Sequence, residues 1–315
     1  MKVVIPQEIT EAGKDYLRER GYEVVMGRGG YDQALLKEDI ADADAIIART
    51  CPYPAEVLAA AKKLKVIGRY GVGIDNIDMD WCTANGVKVC ITPNANSVSV
   101  AEHAVGLMLA CAHHIPYFDR NVRNQVWGVR DTCRSFELTG KTVGIIGMGH
   151  IGGHVAEMCI RGFGMKAIGY ARSLPADRYP AGCVKAESME QVLREADFVS
   201  LHIPSTPATR NFINKETLAL MKPGAFLINT ARGDVVNTED LVACLKANGI
   251  AGYGTDVYAT EPPTAENCPL LDLDNVVMTP HCAALTQEAM DRMGLMAAAD
   301  IDAVLNGREP AHPIN

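Results

Sequence analysis

Several features that mark other protein classes are missing from this chain of 315 residues. No apolar run approaches the roughly eighteen residues of a membrane helix. The first ten residues, MKVVIPQEIT, lack the apolar core and cleavage site of a signal peptide. The ten cysteines show no C-x-x-C pair and no zinc-ligand spacing, which indicates reduced thiols in a reducing compartment. The sequence therefore predicts a cytoplasmic protein with no membrane partner and no metal.

A strongly basic surface is missing as well. The net charge is −8 and lysine and arginine form no stripe, so nucleic acid is not expected as a partner. Hydrophobic residues make up 48% and charged residues 22% of the chain, which is typical of a globular protein. A chain of this length favours two domains, each with its own core.

Glycines are concentrated in the segment VGIIGMGHIGG at residues 143–153, where they follow an apolar, β-branched run. Gly147, Gly149 and Gly152 give the spacing G-x-G-x-x-G at the start of a predicted helix. The first glycine allows a tight turn, the second lets the backbone approach a pyrophosphate, and the third lets the helix pack closely on the strand. Free N–H groups at the helix N-terminus then favour the phosphates. The segment predicts a dinucleotide site; the alternative is a glycine-rich turn without a ligand.

Short apolar strands alternate with helical segments in both halves of the chain, which predicts parallel sheets with helices on both faces. The predicted strands are residues 2–5, 23–26, 45–48, 65–69, 88–91, 142–146, 166–170, 198–202, 225–229, 252–256 and 276–278. The six strands of the second half match a doubly wound dinucleotide-binding domain. A final helix at residues 287–305 comes too late for that sheet, so we expect it to return to the first half.

The predicted fold class is therefore α/β with two Rossmann-like domains. A dinucleotide-binding domain, residues 99–284, is inserted into a discontinuous, flavodoxin-like substrate domain, residues 1–98 and 285–315. In such a design we expect the ligand cleft at the carboxyl ends of the strands, with closure of the two domains over the substrate.

The residues after the strand KAIGY bear on the choice of cofactor. An NAD-specific fold places Asp or Glu about twenty residues after the glycines to accept the ribose 2′-hydroxyl. This chain has Ala171, Arg172 and Ser173 there. A guanidinium and a hydroxyl suit a 2′-phosphate, whereas an acid would repel it. Arg172 and Ser173 therefore predict a preference for NADP over NAD; the alternative is an exposed Arg172 beside a pocket that takes either cofactor.

Three polar side chains follow three predicted strands of the second half. Arg232 lies in GAFLINTARGD, Glu261 in DVYATEPP and His281 in VVMTPHCAAL. Each alone has a structural alternative: an exposed arginine, a loop glutamate, or a histidine satisfied by one hydrogen bond. Together they supply what hydride transfer to a carbonyl needs, namely an arginine for the substrate carboxylate, an imidazole proton donor and a carboxylate that orients the imidazole. Asp256, which ends its strand, could reach the nicotinamide amide or simply cap a loop.

With these residues in place, the chain resembles the D-isomer-specific 2-hydroxyacid dehydrogenases, the family that includes D-3-phosphoglycerate dehydrogenase and glyoxylate/hydroxypyruvate reductases. The resemblance runs almost from end to end. The matching segments are RYGVGIDNID at 69–78, SVAEHAVGLML at 99–109, GKTVGIIGMGHIG at 140–152, LHIPSTPATRNFIN at 201–214, NTARGDVV at 229–236, GTDVYATEPP at 254–263 and TPHCAAL at 279–285.

The resemblance implies a role for each matching residue. It implies Arg232 as substrate-binding, His281 as acid and base, and Glu261 as the partner of His281. It implies that backbone N–H groups around Val72 and Gly73 hold the substrate carboxylate, and it places Arg49 in a substrate-facing loop. The implied cofactor contacts are His150 and Ile151 at the pyrophosphate, Ile203 and Thr206 near the ribose, and Thr230, Ala231 and Asp256 near the nicotinamide. Family members are usually homodimers, with contacts here at roughly residues 104–140.

Departures from the family pattern bear on the substrate. His113 stands where phosphoglycerate dehydrogenases usually carry arginine, and the loop from Arg49 to Pro54 reads RTCPYP where they read RSxTKV. Both changes weaken a phosphate site, and the chain ends at Asn315 without the C-terminal domains that many of those enzymes have. We therefore expect a small unphosphorylated 2-keto acid such as glyoxylate or hydroxypyruvate, with D-3-phosphoglycerate dehydrogenase as the alternative. Tyr53 either helps shape this pocket or packs on its own domain.

Two other functions are disfavoured. A formate dehydrogenase is disfavoured because that branch typically has glutamine where this chain has Glu261. A nucleotide-sensing corepressor-like binding protein would keep the cofactor site, but it rests on fold analogy alone. The sequence thus predicts an NAD(P)-dependent D-2-hydroxyacid dehydrogenase.

Overall fold

The computed structural model describes residues 1–315, which divide into two compact units. The first unit consists of Met1–Asn96 and Ala284–Asn315, and the second unit consists of Ser97–Ala283. The division follows the contacts within the chain and says nothing about ligands. The assignment of one domain to the substrate and the other to the cofactor stays a prediction.

The first unit is built on a five-stranded parallel sheet in the order β2-β1-β3-β4-β5. This is the flavodoxin-like order. Its strands are largely buried apolar runs, as expected for a parallel sheet covered on both faces. The elements are β1 (Lys2–Ile5), α1 (Glu11–Glu19), β2 (Glu23–Met26), α2 (Gln33–Ile40), β3 (Ala45–Ala48), α3 (Ala55–Leu58), β4 (Val66–Arg69), α4 (Met79–Ala84) and β5 (Lys88–Cys90).

The second unit is built on a seven-stranded parallel sheet in the order β12-β11-β10-β9-β6-β7-β8. Counted from β6, this is the doubly wound order 3-2-1-4-5-6 with one further strand. The helices are α5 (Ser97–Ala112), α6 (Ile115–Arg123), α7 (Val129–Thr132), α8 (His150–Phe163), α9 (Met189–Glu195), α10 (Lys215–Leu218) and α11 (Thr238–Lys246). The strands are β6 (Thr142–Ile146), β7 (Lys166–Tyr170), β8 (Cys183–Lys185), β9 (Phe198–Leu201), β10 (Phe226–Asn229), β11 (Gly252–Thr255) and β12 (Val276–Met278).

The prediction of six strands for this sheet was wrong by one, because β8 was missed. It has only three residues, CVK, and two of them are exposed at the edge beside β7. A strand that short buries too little apolar surface to show a period in the sequence. Helices α2, α6 and α7 were missed as well, since the sequence predicts helices only at residues 11–19, 55–61, 78–84, 100–113, 151–161, 189–195, 215–221, 238–247 and 287–305. The backbone of α2 begins at the cap Asp32, whose side chain accepts from Ala34 and Leu35.

The chain returns to the first unit as α12 (Gln287–Leu305). Ala289, Met293, Ala297 and Ile301 lie on one face of this helix and are buried in the same cluster as residues of β1, β3 and β4. Their regular spacing of four residues is that of a helical stripe facing a core. The first unit is therefore completed by sequence that follows the second unit.

None of the helices has by itself both the length and the apolar character of a membrane span. Only α5 and α6 taken together pass that test, as a pair bent by 60°.

Candidate active site

The glycine-rich turn follows β6 as the sequence predicts. Gly147 has a φ of +103°, and a side chain there would also overlap the carbonyl of His202. A methyl group at Gly152 would overlap the carbonyl oxygen of Gly147, so the helix packs directly on the turn. Gly149 caps α8 and has open space where its side chain would be. The three glycines thus meet the three separate requirements of a dinucleotide turn.

The first helical residues after this turn are His150 and Ile151. The N–H groups in the first turn of a helix have no acceptor within that helix, and the positive end of the dipole lies there. A cavity of about 430 Å³ borders the turn and is lined by residues that include Gly149, His150 and Arg178. The backbone and the basic side chains suit a phosphate-bearing ligand.

The end of β7 carries no carboxylate. Ala171 is partly buried and its N–H donates to the hydroxyl of Tyr179 at 3.0 Å. Arg172 and Ser173 follow it and are both exposed, so their polar groups are accessible to a ligand. The 2′-hydroxyl acceptor that an NAD-specific fold uses is therefore replaced at this edge by a guanidinium and a hydroxyl.

The segments after β9 and β10 carry the remaining predicted cofactor contacts. Thr206 is fixed within its loop because its backbone N–H donates to the hydroxyl of Thr209 at 2.8 Å. Ile203 is partly buried against the core of this unit. Ala231 donates its N–H to the side chain of Asn229 at 3.0 Å. The hydroxyl of Thr230 is buried without a hydrogen-bond partner in the protein. A buried hydroxyl of this kind calls for a partner, which the amide of a nicotinamide could supply.

His281 and Glu261 form a hydrogen-bonded pair. Nδ1 of His281 lies 2.7 Å from Oε2 of Glu261. Since an ionised carboxylate only accepts, Nδ1 donates, and Nε2 is left for chemistry. Both side chains are partly exposed, at 42% and 37%. His281 follows β12 with a left-handed φ of +52°, whereas Glu261 follows β11, so two neighbouring strand ends bring the pair together.

The pKa of the Glu261 carboxyl lies below its ordinary value of 4.5. Burial acts in the opposite direction and favours the neutral acid. The hydrogen bond and charge of His281, the N–H of Tyr258 and the positive charge of Arg232 together outweigh burial. Glu261 is therefore a carboxylate at neutral pH, and so it accepts the hydrogen bond from Nδ1 of His281.

The pair of His281 and Glu261 contributes to the stability of the folded chain. The lowered pKa of Glu261 determines how this contribution depends on pH. Because the folded-state pKa is lowered, the stabilisation is present above pH 4.5 and is lost as the pH falls through the lowered value. We expect the wild type to unfold at a higher temperature than Glu261→Gln near neutral pH. The difference in the free energy of unfolding is at most about 1 kcal/mol, because solvent screens this partly exposed pair. Calorimetry across a pH series should show this margin shrinking below pH 4.5; a margin independent of pH would contradict the assignment.

Arg232 stands at the end of β10, where the loop enters a short 3₁₀ turn at Gly233–Val235. Nη1 of Arg232 donates to the carbonyl of Ala231 at 2.7 Å, and the side chain of Asn229 donates to the carbonyl of Arg232 at 2.9 Å. Asn229 is fully buried and so holds the backbone on both sides of the arginine. The positive charge of Arg232 acts on Glu261, which brings the third predicted catalytic residue into the same electrostatic group.

Asp256 is buried and ties the loop after β12 to β11. One carboxylate oxygen accepts from the hydroxyl of Thr279 at 2.6 Å and from the N–H of Cys282 at 2.9 Å. The other accepts from the N–H of Ala283 at 2.8 Å. The structure thus shows the loop-capping role of Asp256, and its contact with the nicotinamide stays a prediction.

The predicted substrate residues of the first unit lie at the carboxyl ends of β3 and β4. Val72 is exposed, and the carbonyl of Gly73 accepts from Nε of Arg69 at 2.6 Å. The guanidinium of Arg49 lies 5.7 Å from the ring centre of Tyr70 and donates to the carbonyl of Glu8. Tyr53 is wholly buried in the core of this unit. Of the two alternatives for Tyr53, the structure therefore shows packing on its own domain, since the ring fills the core.

The chain belongs to the D-isomer specific 2-hydroxyacid dehydrogenase family, whose NAD binding domain matches residues 105–283. It is 39% identical over 316 residues to D-3-phosphoglycerate dehydrogenase of Archaeoglobus fulgidus, covering 100% of this chain and 59% of that protein. It is 41% identical over 262 residues to hydroxypyruvate reductase of Thermotoga maritima, covering 82% of this chain and 84% of that protein.

Among solved structures, the chain is similar to the NADPH-dependent glyoxylate/hydroxypyruvate reductase of Sinorhizobium meliloti in complex with citrate. The two share 27% identity with a TM-score of 0.85, over 99% of this chain and 97% of that one. This chain spans about three fifths of the length of the phosphoglycerate dehydrogenases it matches. The comparisons agree with the predicted family and with the α/β fold of two Rossmann-like domains.

One residue of the site was missed by the sequence reasoning. Tyr258 binds Glu261 through its N–H and the carbonyl of Thr279 through its hydroxyl. Its place three residues before Glu261 in DVYATEPP was a usable signal, because a residue at that spacing can offer its N–H to the carboxylate.

Proposed function

We propose that the protein is an NAD(P)-dependent D-2-hydroxyacid dehydrogenase that interconverts a small 2-keto acid and its D-2-hydroxy acid. The observation that carries this proposal is the 2.7 Å pair of His281 and Glu261. The pair lies at the strand ends of the same unit that holds the glycine-rich turn. An imidazole paired with a carboxylate, together with an arginine, are the groups that such a reaction requires from the protein.

The protein residues have separate tasks in the proposed reaction. Arg232 binds the substrate carboxylate and polarises the adjacent carbonyl. The Nε2–H of the His281 imidazolium donates a proton to the alkoxide that develops as the carbonyl is reduced. Glu261 accepts from Nδ1 throughout, which fixes the orientation and the tautomer of the ring. In the oxidation direction, Nε2 of the neutral imidazole takes the hydroxyl proton of the D-2-hydroxy acid.

The nicotinamide cofactor supplies or accepts the hydride. Gly147, Gly149 and Gly152, with the N–H groups of His150 and Ile151, would hold its pyrophosphate. Ile203 and Thr206 would lie along the ribose, and Thr230, Ala231 and Asp256 would meet the nicotinamide. The buried, unpartnered hydroxyl of Thr230 supports this placement.

We further propose that NADP is preferred over NAD. Support comes from the exposed Arg172 and Ser173 at the end of β7, where no acid is present to accept a 2′-hydroxyl or repel a 2′-phosphate. An exposed guanidinium is well suited to a phosphate because it can bind two of its oxygens at once.

Replacing Arg172 tests this preference. We expect Arg172→Ala to lower kcat/KM for NADPH about tenfold or more and to change kcat/KM for NADH less than about twofold, since only NADPH carries the 2′-phosphate. Steady-state kinetics with both cofactors measures the effect. Arg194→Ala, which removes an exposed arginine on α9, is the matched control. An equal loss with both cofactors would contradict the proposal.

The proposed substrate is a small unphosphorylated 2-keto acid. Val72, Gly73 and Arg49 of the first unit are its further proposed contacts, on the strength of the family resemblance. His113 replaces an arginine of the phosphate-binding relatives, and the loop RTCPYP at residues 49–54 keeps Arg49 but has no lysine, which weakens a phosphate site. The similarity to a hydroxypyruvate reductase and to a glyoxylate/hydroxypyruvate reductase supports this choice, while the similarity to phosphoglycerate dehydrogenases keeps a phosphorylated substrate as the second candidate.

A panel of 2-keto acids tests the substrate and the reaction together. Purified protein is mixed with NADPH or NADH and glyoxylate, hydroxypyruvate, its 3-phosphate or an aliphatic 2-keto acid, and the nicotinamide absorbance is followed. We expect turnover with unphosphorylated acids and a lower kcat/KM for the phosphorylated one. Tight cofactor binding without turnover on any acid would favour a nucleotide-sensing protein instead.

A homodimer and a cytoplasmic location complete the proposal. Several large apolar side chains on and after α6 are exposed in the chain, with Trp127 at 66%. They are Ile115, Val122, Val126, Trp127 and Phe136. Such a patch typically marks an interface, and a sedimentation mass of one chain would contradict the dimer.

All ten cysteines are free thiols, which suits a reducing compartment.

A further inference from the structure

Tyr258 contacts each of the three loops that carry the proposed catalytic residues. It lies after β11, three residues before Glu261, and its side chain is half-buried. Its backbone N–H, its hydroxyl and its carbonyl each meet a different loop. These three contacts differ in kind, and each constrains one catalytic residue.

The first contact fixes the carboxylate. The N–H of Tyr258 donates to Oε1 of Glu261 at 3.1 Å, while Oε2 of the same carboxylate accepts from His281. With one oxygen held by the backbone, the carboxylate plane cannot rotate freely, and the second oxygen stays aimed at Nδ1. The N–H of Tyr258 also contributes to the lowered pKa of Glu261.

The second contact fixes the backbone before the imidazole. The hydroxyl of Tyr258 donates to the carbonyl of Thr279 at 2.6 Å. The N–H of His281 donates to that same carbonyl at 3.0 Å. His281 adopts a left-handed φ of +52°, which is uncommon for a residue with a side chain and needs support from its surroundings. The Thr279 carbonyl, held by both donors, provides that support.

The third contact reaches the arginine loop. Gly233 follows Arg232, and a side chain at Gly233 would overlap the carbonyl of Tyr258. The two backbones therefore touch at a position where only glycine fits. Any movement of the Tyr258 peptide would therefore displace the backbone of Gly233, which is next to Arg232.

We propose that Tyr258 is a positioning residue that keeps Arg232, Glu261 and His281 in one arrangement, with its hydroxyl holding the loop of His281. The inference rests on the proposed dehydrogenase function for its kinetic consequence, but not for its structural one. Burial, and after it the charge of Asp256, raises the pKa of Tyr258. The hydroxyl therefore stays protonated and can donate throughout the working pH range.

The test replaces Tyr258 by phenylalanine, which removes the hydroxyl and keeps the ring. We expect kcat to fall about tenfold while KM for the keto acid changes less than about twofold, because the lost hydrogen bond misplaces the proton donor and leaves the substrate contacts in place. Tyr258→4-aminophenylalanine, which retains a donor on the same ring, is expected to recover part of kcat. If Tyr258→Phe keeps the wild-type kcat, the proposal is overturned.

A matched control separates positioning from stability. Tyr22 also has a buried hydroxyl, which donates to Asp302 at 2.8 Å in the first unit. Tyr22→Phe is expected to lower the unfolding temperature to a similar degree as Tyr258→Phe with kcat unchanged. Equal losses of kcat in both variants would show that Tyr258 acts only through stability, which contradicts the proposal.

Two further measurements link the effect to the pair. In a Glu261→Gln background, Tyr258→Phe should reduce kcat less than it does in the wild type, because the arrangement it supports is already impaired. The Nδ1 proton resonance of His281, assigned by its absence in His281→Asn, should broaden or move in Tyr258→Phe and not in Tyr22→Phe. This resonance needs no turnover, so its behaviour judges Tyr258 even if the proposed reaction is wrong, and an unchanged resonance overturns the proposal.

Discussion

His281→Asn is expected to lower kcat about 10³-fold, with the affinity for the nicotinamide cofactor changed less than about threefold. Asparagine keeps a polar group of similar size near Glu261 but cannot donate a titrating proton from the position of Nε2. The loss therefore falls on the chemical step, while the glycine turn and Thr230 are untouched. Steady-state kinetics combined with cofactor titration by fluorescence separates the two effects.

His312→Asn is the matched control for this substitution. Nδ1 of His312 lies 2.9 Å from Asp300 in the first unit, so the variant also breaks an imidazole–carboxylate pair. Asp300 is buried, and some loss of stability is expected, but kcat should stay near the wild-type value. A His281→Asn enzyme that retained most of its turnover would remove His281 from the reaction.

Gly152→Ala is expected to destabilise the second unit by about 1–3 kcal/mol and to weaken cofactor binding at least about tenfold. The added methyl group would overlap the carbonyl oxygen of Gly147, which is backbone and cannot turn aside. The helix α8 must then move away from the turn, and its N-terminal N–H groups move with it. Chemical unfolding and isothermal titration with NADPH measure the two consequences.

The neighbouring glycine provides a stringent comparison. Gly153 lies in the same helix, and a side chain there would meet no atom within 4 Å. Gly153→Ala should be neutral or stabilise by up to about 1 kcal/mol, as alanine generally does in a helix. If the two alanine variants behaved alike, close packing of the turn on the helix would not be what Gly152 provides.

Much of the fold could be predicted because its strands are apolar, β-branched runs ended by polar or glycine residues. Six strands, β1, β2, β3, β6, β7 and β12, have the predicted bounds, and so does α12. The predicted elements that differ do so mostly at their ends, where terminal residues take part in turns. β8 and α7 are too short, and too exposed, to leave a periodic trace.

The site could be predicted in its residue types and places, and less in its contacts. Arg232, Glu261 and His281 were predicted to lie together because each follows a strand and parallel strands end at one edge; the structure brings His281 and Glu261 together, and their catalytic roles stay a prediction. The hydrogen bond between Tyr258 and Thr279 joins residues 21 apart in sequence. It depends on how two loops fold back, and nothing local specifies it. Tyr53 shows the converse, since packing on its own domain was one of its two predicted roles and its ring fills the core.

The position of α12 in the first unit has a consequence for how the molecule forms as it is synthesised. The five strands of the first unit leave the ribosome long before Gln287–Leu305, and the buried face of that helix completes their core. Residues 314 and 315 extend this dependence, because Ile314 and Asn315 form hydrogen bonds with Val89 in the edge strand β5. The second unit is continuous and can fold as it emerges. The first 96 residues must therefore wait, with apolar surface uncovered, until Gln287–Leu305 has been synthesised.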